Sequence, residues 1–356
     1  MVLIEWVRCL APSFLVVLAA AGIALGGIWV WAGFVGVLIL VLADGFSQTD
    51  IVIHTRFPAW FYTAALYLPL PVLCFLWFVF AQQIAADVAT TSQRLVTLGS
   101  VAFLTTLGAL PAAHELSHRK NRIAQLCARI YSTILGLPMY DIYHIHGHHI
   151  DVGTVQDHDT PRRGQTIYSF VYPSLYKSLR TAVGIERARL AKLGHRIFWW
   201  RGRIFESFWM LTAWFSGFIY FAGLRGIPYF LMTWLLAWLI FGGFNYTQHY
   251  GLIRKPGTAI APRHSWNHLK AFSRAITFEI SNHSEHHLDP DKRYEYLRPV
   301  PNAPQMPSIV LCFAASFVPF IWENWIVKSR LKYWDLNAEP EEQVLAVVEN
   351  RRAGWQ

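Results

Sequence analysis

The sequence predicts an all-α integral membrane protein, a helical bundle of six spans with a histidine-rich cap on its cytoplasmic side. Three observations support this fold class. Of the 356 residues, 54% are hydrophobic and only 15% are charged, which is too apolar for a soluble globular protein of this length. Several apolar runs are long enough to cross a bilayer, which takes ~20 helical residues. Nine of the 15 histidines fall into four short clusters.

The apolar runs place the six spans at roughly 11–25, 27–43, 60–81, 96–113, 208–224 and 229–244. The first two belong to one apolar run that is broken only at Gly26 and Gly27. Because about 30 apolar residues exceed one crossing, we expect a tight hairpin rather than one long helix. A seventh apolar run at 308–327 contains a proline and two polar residues, which favour a helix packed at the membrane surface.

The distribution of Lys and Arg predicts the topology. These residues are scarce after the first, third and fifth spans and abundant between 119 and 203. The positive-inside rule therefore places both termini and every histidine cluster in the cytoplasm of a bacterial-type inner membrane. We expect a single domain over 1–356, with a cytoplasmic cap at 114–207 and 249–356. A signal peptide is disfavoured, since Glu5 and Arg8 make a weak charged region and further spans follow.

The formal net charge is +9, and much of it lies in one basic stretch of the large loop. This stretch comprises Arg187, Arg189, Lys192, Arg196, Arg201 and Arg203. We favour contact with anionic lipid, and the alternative is a landing surface for an acidic electron carrier. No nucleic-acid motif accompanies the charge, so we expect no nucleic-acid partner. The 4 cysteines form no Cys-x-x-Cys pair, so we expect neither disulfides nor a thiolate metal site.

The four histidine clusters have spacings that suit metal binding. They comprise His114 and His118, then His144, His148 and His149, then His249, and finally His283, His286 and His287. Residues four apart share a helix face, so positions 114 and 118, 144 and 148, and 283 and 287 are each expected to bind one ion together. His149 is rotated by about 100° from its neighbour and is expected to face a second ion.

Nine imidazoles exceed the four ligands of a structural zinc site and suffice for two ions with open positions. Imidazole binds Fe, Zn, Cu and Ni, so the ligand type does not identify the metal. The location beside membrane spans and a reservoir of hydrophobic substrate favours dioxygen activation by iron. We predict no catalytic residue beyond these ligands.

Ligating imidazoles usually donate their other N–H to a carboxylate or carbonyl. The nearby carboxylates are Glu115, Asp141, Asp151, Asp157, Asp159, Glu279 and Asp289, which the sequence does not rank. We expect the other six histidines not to bind the metal. His54 and His195 lie alone in loops, His146 has the wrong offset from His148 and His149, and His158, His264 and His268 are expected at most to contact the ligands.

Two other functions remain open from the residues alone. The sequence His-Glu-Leu-Ser-His at 114–118 is also the zinc metalloprotease signature, with the glutamate as general base. That enzyme would leave most of the histidines unused. A metal transporter is disfavoured because the spans contain few polar residues to form a path.

The patterns His-x3-His, His-x3-His-His and His-x2-His-His resemble the histidine boxes of the membrane di-iron superfamily of fatty-acid desaturases, alkane hydroxylases and xylene monooxygenases. The segment Asn-Tyr-Thr-Gln-His-Tyr-Gly-Leu-Ile-Arg at 245–254 looks like the alkane 1-monooxygenases. The segments at 159–170, 293–299 and 303–308 look closer to the xylene monooxygenase hydroxylases. The resemblance runs nearly from end to end.

This resemblance implies that the nine clustered histidines bind two non-haem irons at the end of a six-span bundle. It implies electrons from NADH through a separate reductase with a flavin and an iron–sulfur ferredoxin centre, or through rubredoxin as in the alkane enzymes. The implied substrate is a hydrophobic small molecule that enters from the lipid bilayer.

Two departures from the alkane hydroxylase pattern bear on that substrate. Tyr143 precedes the second box, where those enzymes usually have Glu, and Ser281 and Asn282 precede the third, where they usually have Gln-Arg. We therefore expect hydroxylation of the methyl group of an alkylaromatic hydrocarbon such as toluene, xylene or cymene. An alkane 1-monooxygenase and a lipid desaturase of the same superfamily are the alternatives.

Overall fold

The computed structural model describes residues 2–300 and 302–355, and these residues form helices and loops without a β-strand, which confirms the all-α class. The helices are α1 (Val2–Leu25), α2 (Ala32–Phe46), α3 (Ala59–Tyr67), α4 (Pro69–Ala86), α5 (Thr91–Ser117), α6 (Arg122–Ile134), α7 (Tyr140–Tyr143), α8 (His149–Asp151), α9 (Ile167–Lys192), α10 (Arg203–Ala222), α11 (Gly226–His249), α12 (Ala271–Ile276), α13 (His283–Leu288), α14 (Ile309–Ser316), α15 (Pro319–Ile321), α16 (Lys328–Asn337) and α17 (Pro340–Arg352). Two π-helical turns occur at His144–His148 and Trp322–Val327.

Five helical stretches in the described part of the chain are long and apolar enough to cross a membrane. They are Glu5–Leu25, Gly27–Phe46, Ala59–Ala86, Thr91–Ser117 and Gly226–His249. They coincide with the first, second, third, fourth and sixth predicted spans. The predicted span at 208–224 overlaps α10, a helix of 20 residues that ends at Ala222 and is not among the five. Glu206 and several Trp, Tyr, Ser and Thr residues lower its mean hydropathy.

The predicted hairpin at the N-terminal end is present. Gly26 and Gly27 have φ of 69° and 56°, a left-handed conformation that glycine adopts without steric cost. They turn the chain from α1 into a short 3₁₀ segment and then α2. Gly33 in α2 lies so close to α1 and α5 that a Cβ there would be 2.8 Å from the Cβ of Ala19. The absence of a side chain therefore allows close packing of the hairpin.

Helix α5 is the centre of the bundle, with 78% of its most apolar window buried. It packs against α1, α2, α4, α6 and α11. Thr105 in α5 accepts a hydrogen bond at 3.0 Å from the indole N–H of Trp77 in α4. Because α5 ends at Ser117, the first histidine cluster lies where the buried bundle meets the cap.

The segment 308–327 is not one long helix. Helix α14 ends at Ser316, and the chain resumes helical structure at Pro319 with α15 and a π-helical turn. Proline lacks the N–H that a continuous helix would need, which accounts for the interruption. This agrees with the expectation that the segment does not form a seventh span.

A buried ionic cluster fixes the turn that leads into α13. Phe278 and Glu279 have φ of 45° and 63°, a costly conformation for residues with a Cβ. The Glu279 carboxylate accepts a hydrogen bond at 2.7 Å from Arg274 and another from Arg8 of α1. The first helix of the bundle thus holds the strained turn just before the third histidine cluster.

Candidate metal centre

The structure brings all nine predicted histidines together in two groups. The five-histidine group comprises His114, His118, His144, His149 and His286. The four-histidine group comprises His148, His249, His283 and His287. Within each group, one ring nitrogen per residue lies within 4.8 Å of all the others. Each group can therefore hold one metal ion.

Helix ends deliver these side chains to one place. His114 lies in the last turn of α5, and His118 is the residue that caps the same helix. His249 is the last residue of α11. In α13, His283 and His287 are four apart and belong to the four-histidine group, while His286 between them points to the other group. The structure places positions 114 and 118 in one group and 283 and 287 in the other, as the expected pairing requires.

The expected pairing of His144 with His148 is wrong. These residues bound a π-helical turn, and in such a turn the register is i, i+5 instead of i, i+4. His144 therefore meets His149, with 3.0 Å between their Nε2 atoms, and His148 joins the other group. Gly147 allows this turn, because a Cβ there would lie 2.7 Å from the ring of Tyr143.

The distances between ring nitrogens suit bound ions. In the five-histidine group, the Nε2 of His144 lies 3.2 Å from that of His118, and the Nε2 of His286 lies 3.1 Å from that of His149. In the other group, the Nε2 of His283 lies 2.8 Å from that of His249 and 3.1 Å from that of His287. Two nitrogens that bind one ion at about 2.1 Å and at right angles lie about 3 Å apart.

Both ring nitrogens of His114 are buried without a hydrogen-bond partner in the described residues. Buried polar atoms seldom lack partners, so this ring needs a further group at the site. A cation fits that need, because the His114 ring nitrogen lies within 4.8 Å of one ring nitrogen from each of four other imidazoles. The donor set is therefore suited to a transition metal that binds nitrogen.

Most of the clustered imidazoles outside the spans are held neutral, which is the form that binds a metal. Burial lowers the pKa of His118 to about 4. Burial, aided by the neighbouring histidines, lowers the pKa of His283 to about 3. The same two causes hold the pKa values of His144, His149, His286 and His287 well below the usual value.

His148 differs because its ring is bonded to a carboxylate. Burial acts to lower its pKa, but the adjacent Asp157 outweighs burial and raises it. The Nδ1 of His148 lies 2.9 Å from an Asp157 oxygen. Asp157 also accepts hydrogen bonds from Tyr143 at 2.9 Å and from Thr160 at 2.6 Å. The carboxylate is thus fixed in position and in turn orients the His148 ring.

Asp157 is the one carboxylate among the seven candidates that hydrogen-bonds a clustered histidine in the described chain. Glu115 instead accepts from Arg119, Asp141 from Arg203, and Glu279 from Arg274. Sequence reasoning missed the hydroxyl of Tyr143, and it missed the backbone carbonyl of Ile280, which lies 3.0 Å from the Nδ1 of His283. Neither contact has a sequence signal, because both depend on how distant segments fold together.

The other six histidines lie outside both groups, as expected. His146 is exposed, and His54 pairs with Asp50 at 2.8 Å. His264 pairs with Glu342, and His268 is bonded to the carbonyl of Pro307, both at 2.8 Å. The rings of His158 and His195 stack on Tyr143 and Trp199 respectively.

Comparison with known proteins agrees with this arrangement. Residues 92–313, which include all nine clustered histidines, match the profile of the family described as fatty acid desaturase. The chain is 34% identical over 339 residues to the xylene/toluene monooxygenase hydroxylase component of Pseudomonas putida, covering 94% of this chain and 91% of that protein. It is 27% identical to an alkane 1-monooxygenase of Alcanivorax borkumensis over 85% of this chain and 76% of that one. Alkane 1-monooxygenase 1 of Pseudomonas aeruginosa is 30% identical over 63% and 62% of the respective chains.

Proposed function

The chain belongs to the fatty acid desaturase family, and from this membership we propose that it is a membrane-bound non-haem di-iron monooxygenase that hydroxylates the methyl group of an alkylaromatic hydrocarbon. Its relatives reported above are monooxygenases, and a relative that matches 94% of this chain is named for xylene and toluene. The observation that carries the proposal is the arrangement of nine imidazoles in two adjacent groups at the end of an apolar helical bundle.

The nine imidazoles suit two metal ions better than one. A zinc protease with the motif at 114–118 would need Glu115 free to act as a base. Here Glu115 accepts hydrogen bonds from the Nε of Arg119 at 3.0 Å and from the backbone N–H of Tyr294 at 3.3 Å. His114 and His118 also lie among three further histidines. This arrangement supports the di-iron proposal over the protease.

The reaction balances as RCH₃ + O₂ + 2e⁻ + 2H⁺ → RCH₂OH + H₂O, and bound iron would supply its oxidising power. The residues of the chain hold and shield the site. Seven of the nine clustered histidines are buried, and His118 and His149 are half-buried. Exclusion of water protects a reactive centre from side reactions.

The substrate of this reaction partitions into the bilayer, so we propose that it reaches the site sideways between spans. The alkane relatives support a second candidate, terminal hydroxylation of alkanes. The position where alkane hydroxylases usually carry Glu is Tyr143 here, and its hydroxyl is committed to Asp157. The replacement thus alters the surroundings of a ligand histidine, which favours the alkylaromatic substrate.

The topology and partners complete the proposal. Helix α10 exposes Phe208, Trp209 and Tyr220, which supports its assignment as the remaining span of a six-span bundle. The basic cap then lies in the cytoplasm, with both termini, as one domain in an inner membrane. We propose that a separate NADH-dependent reductase with a flavin and an iron–sulfur ferredoxin centre supplies the electrons, with rubredoxin as the alternative.

Metal content and product together test the function. The purified protein is supplied with a xylene-type reductase, NADH, ¹⁸O₂ and a mixture of p-xylene and octane. About two irons per chain and ¹⁸O-labelled methylbenzyl alcohol are expected. Labelled octanol alone would instead assign the chain to the alkane hydroxylases. One zinc per chain without oxygen uptake would overturn the proposal.

A further inference from the structure

An open groove in the cap leads to the four-histidine group. It has a volume of about 550 Å³ and lies between the loop 153–165, the segment 251–256 and helix α17. Asp157 forms part of its lining, and the same carboxylate is hydrogen-bonded to His148. Gly251 and Leu252, two residues and three residues after His249, form another part. His148 is thus linked to the groove through Asp157, and His249 lies two residues before a lining residue, although neither histidine lines the groove itself.

The groove walls expose apolar side chains although they lie outside the five apolar spans. Val155 in the loop is 75% exposed, and Val348 in α17 is 58% exposed. Val344, one helical turn before Val348, is also exposed. Clustered apolar side chains on a surface that faces water are characteristic of a protein interface.

The groove lining is basic. It contains Arg162, Arg163, Lys177 and Arg254 against the two carboxylates of Asp157 and Glu349. Arg163 and Arg254 are buried, and they are bonded to Asp335 and to backbone carbonyls respectively. Arg162 is paired with Glu349, so Lys177 is the lining cation that is left exposed without an ion pair among the described residues. Beyond the lining, residues 178–203 add seven Lys and Arg residues and one acidic residue, Glu186.

Ion pairs hold α17 in place as a rigid wall. Arg163 donates two hydrogen bonds to Asp335 of α16 and one at 2.7 Å to Asn350 of α17. Arg263 and His264 both bond to Glu342 of α17, at 2.7 Å and 2.8 Å. The groove is therefore a formed surface and needs no rearrangement to receive a partner.

We propose that this groove is the docking site of an acidic electron-transfer protein, and that the hydrogen bond between Asp157 and His148 connects it to the four-histidine group. The inference rests on the proposed function, which requires two electrons per turnover. The donor's flavin or iron–sulfur centre loses those two electrons and is thereby oxidised, which balances the reaction given above. The basic lining attracts a partner of opposite charge, and the valines supply its apolar contact.

Other occupants fit less well. The lipid bilayer surrounds the spans, whereas none of the residues that line the groove belongs to the five apolar spans. A second copy of the chain would bring another net charge of +9 to a basic surface. Repulsion between like charges disfavours that contact.

The test compares two groove variants with one matched control in the full-length protein and its reductase. Lys177→Glu reverses an exposed charge in the groove, and Val348→Asp places a charge on its apolar wall. Arg196→Glu reverses an exposed charge of the basic stretch outside the groove. The rate is measured against reductase concentration at low and high salt. We expect the KM for reductase to rise about tenfold in both groove variants, with wild-type iron content, and to stay unchanged in Arg196→Glu.

The outcomes separate the docking site from the function. If wild type gives no labelled product with any reductase, the proposed function fails. If wild type is active and both groove variants keep its KM, the docking site alone is overturned. An equal rise in Arg196→Glu would overturn it in favour of a diffuse basic surface. Loss of a homodimer in Val348→Asp, measured by light scattering, would assign the groove to a second copy.

Discussion

The two histidine groups differ in how they are supported. All members of the four-histidine group are buried, and two of its rings have a partner outside the group: His148 is bonded to the Asp157 carboxylate and His283 to the Ile280 carbonyl. In the five-histidine group, His118 and His149 are only half-buried. In the described chain, four rings of that group hydrogen-bond only to one another, and the ring of His114 has no hydrogen-bond partner. The difference teaches that the four-histidine group offers an ion a more rigid set of ligands, while the five-histidine group is more open.

Removal of one ligand from each group is expected to have the largest effect. His148→Ala and His286→Ala should each lose about one of two irons and reduce turnover at least about a hundredfold, since even groups that orient ligands are worth 10–100-fold. Iron content and turnover of membrane-inserted protein are the measurements. His146→Ala, at an exposed position outside both groups, is the control. Two irons and full activity in either variant would refute the ligand assignment.

The second prediction tests whether Asp157 makes the four-histidine group the firmer site. Asp157→Asn keeps the size of the side chain but removes its charge, so iron should dissociate about 10–100-fold more readily from one of the two sites. Asp291→Asn is the matched control near the five-histidine group, because Asp291 is exposed and bonded to Lys120. Iron retention is followed against increasing chelator. Equal loss in the two variants would remove the distinction between the groups.

The contrast between the groups also shows what the sequence could and could not predict. The apolar runs predicted the hairpin and most spans, and the spacings predicted the nine histidines that the fold brings together. The partner of His144 was predicted wrongly. Sequence spacing assumes a regular α-helix, whereas Tyr143 packs against Gly147 in a π-helical turn that shifts the register.

For the same reason, the sequence could not identify Asp157 among the seven candidate carboxylates. Its contact with His148 depends on a loop that returns the chain nine residues later and on donors from Tyr143 and Thr160. The spacing of residues along the sequence does not show that this loop brings Asp157 back to His148. By contrast, the span at 208–224 was predicted from apolar residues, and the helix is present, but its hydropathy is lower than that of the five others.

The smallest expected effect comes from a single hydroxyl that supports the firmer group. Tyr143→Phe removes the donor to Asp157 and the acceptor for the backbone N–H of His158 at 2.7 Å. The loss should destabilise the protein by about 1–2 kcal/mol and weaken iron retention by only a few-fold, because Thr160 still holds the carboxylate. Tyr140→Phe is the control, since the Tyr140 ring stacks on His144 of the five-histidine group.

Thermal unfolding in detergent and chelator titration measure the two effects of Tyr143→Phe. The hydroxyl of Tyr140 makes no hydrogen bond among the described residues, so its removal should change stability by less than about 0.5 kcal/mol. If both tyrosine variants behave alike, the hydroxyl at position 143 does not act through Asp157. A larger effect for Tyr143→Phe, with iron lost from one site only, would show that Tyr143 supports His148 through Asp157. Tyr143 stands where the alkane enzymes usually have glutamate, so the substitution between the two families would then change the support of a ligand.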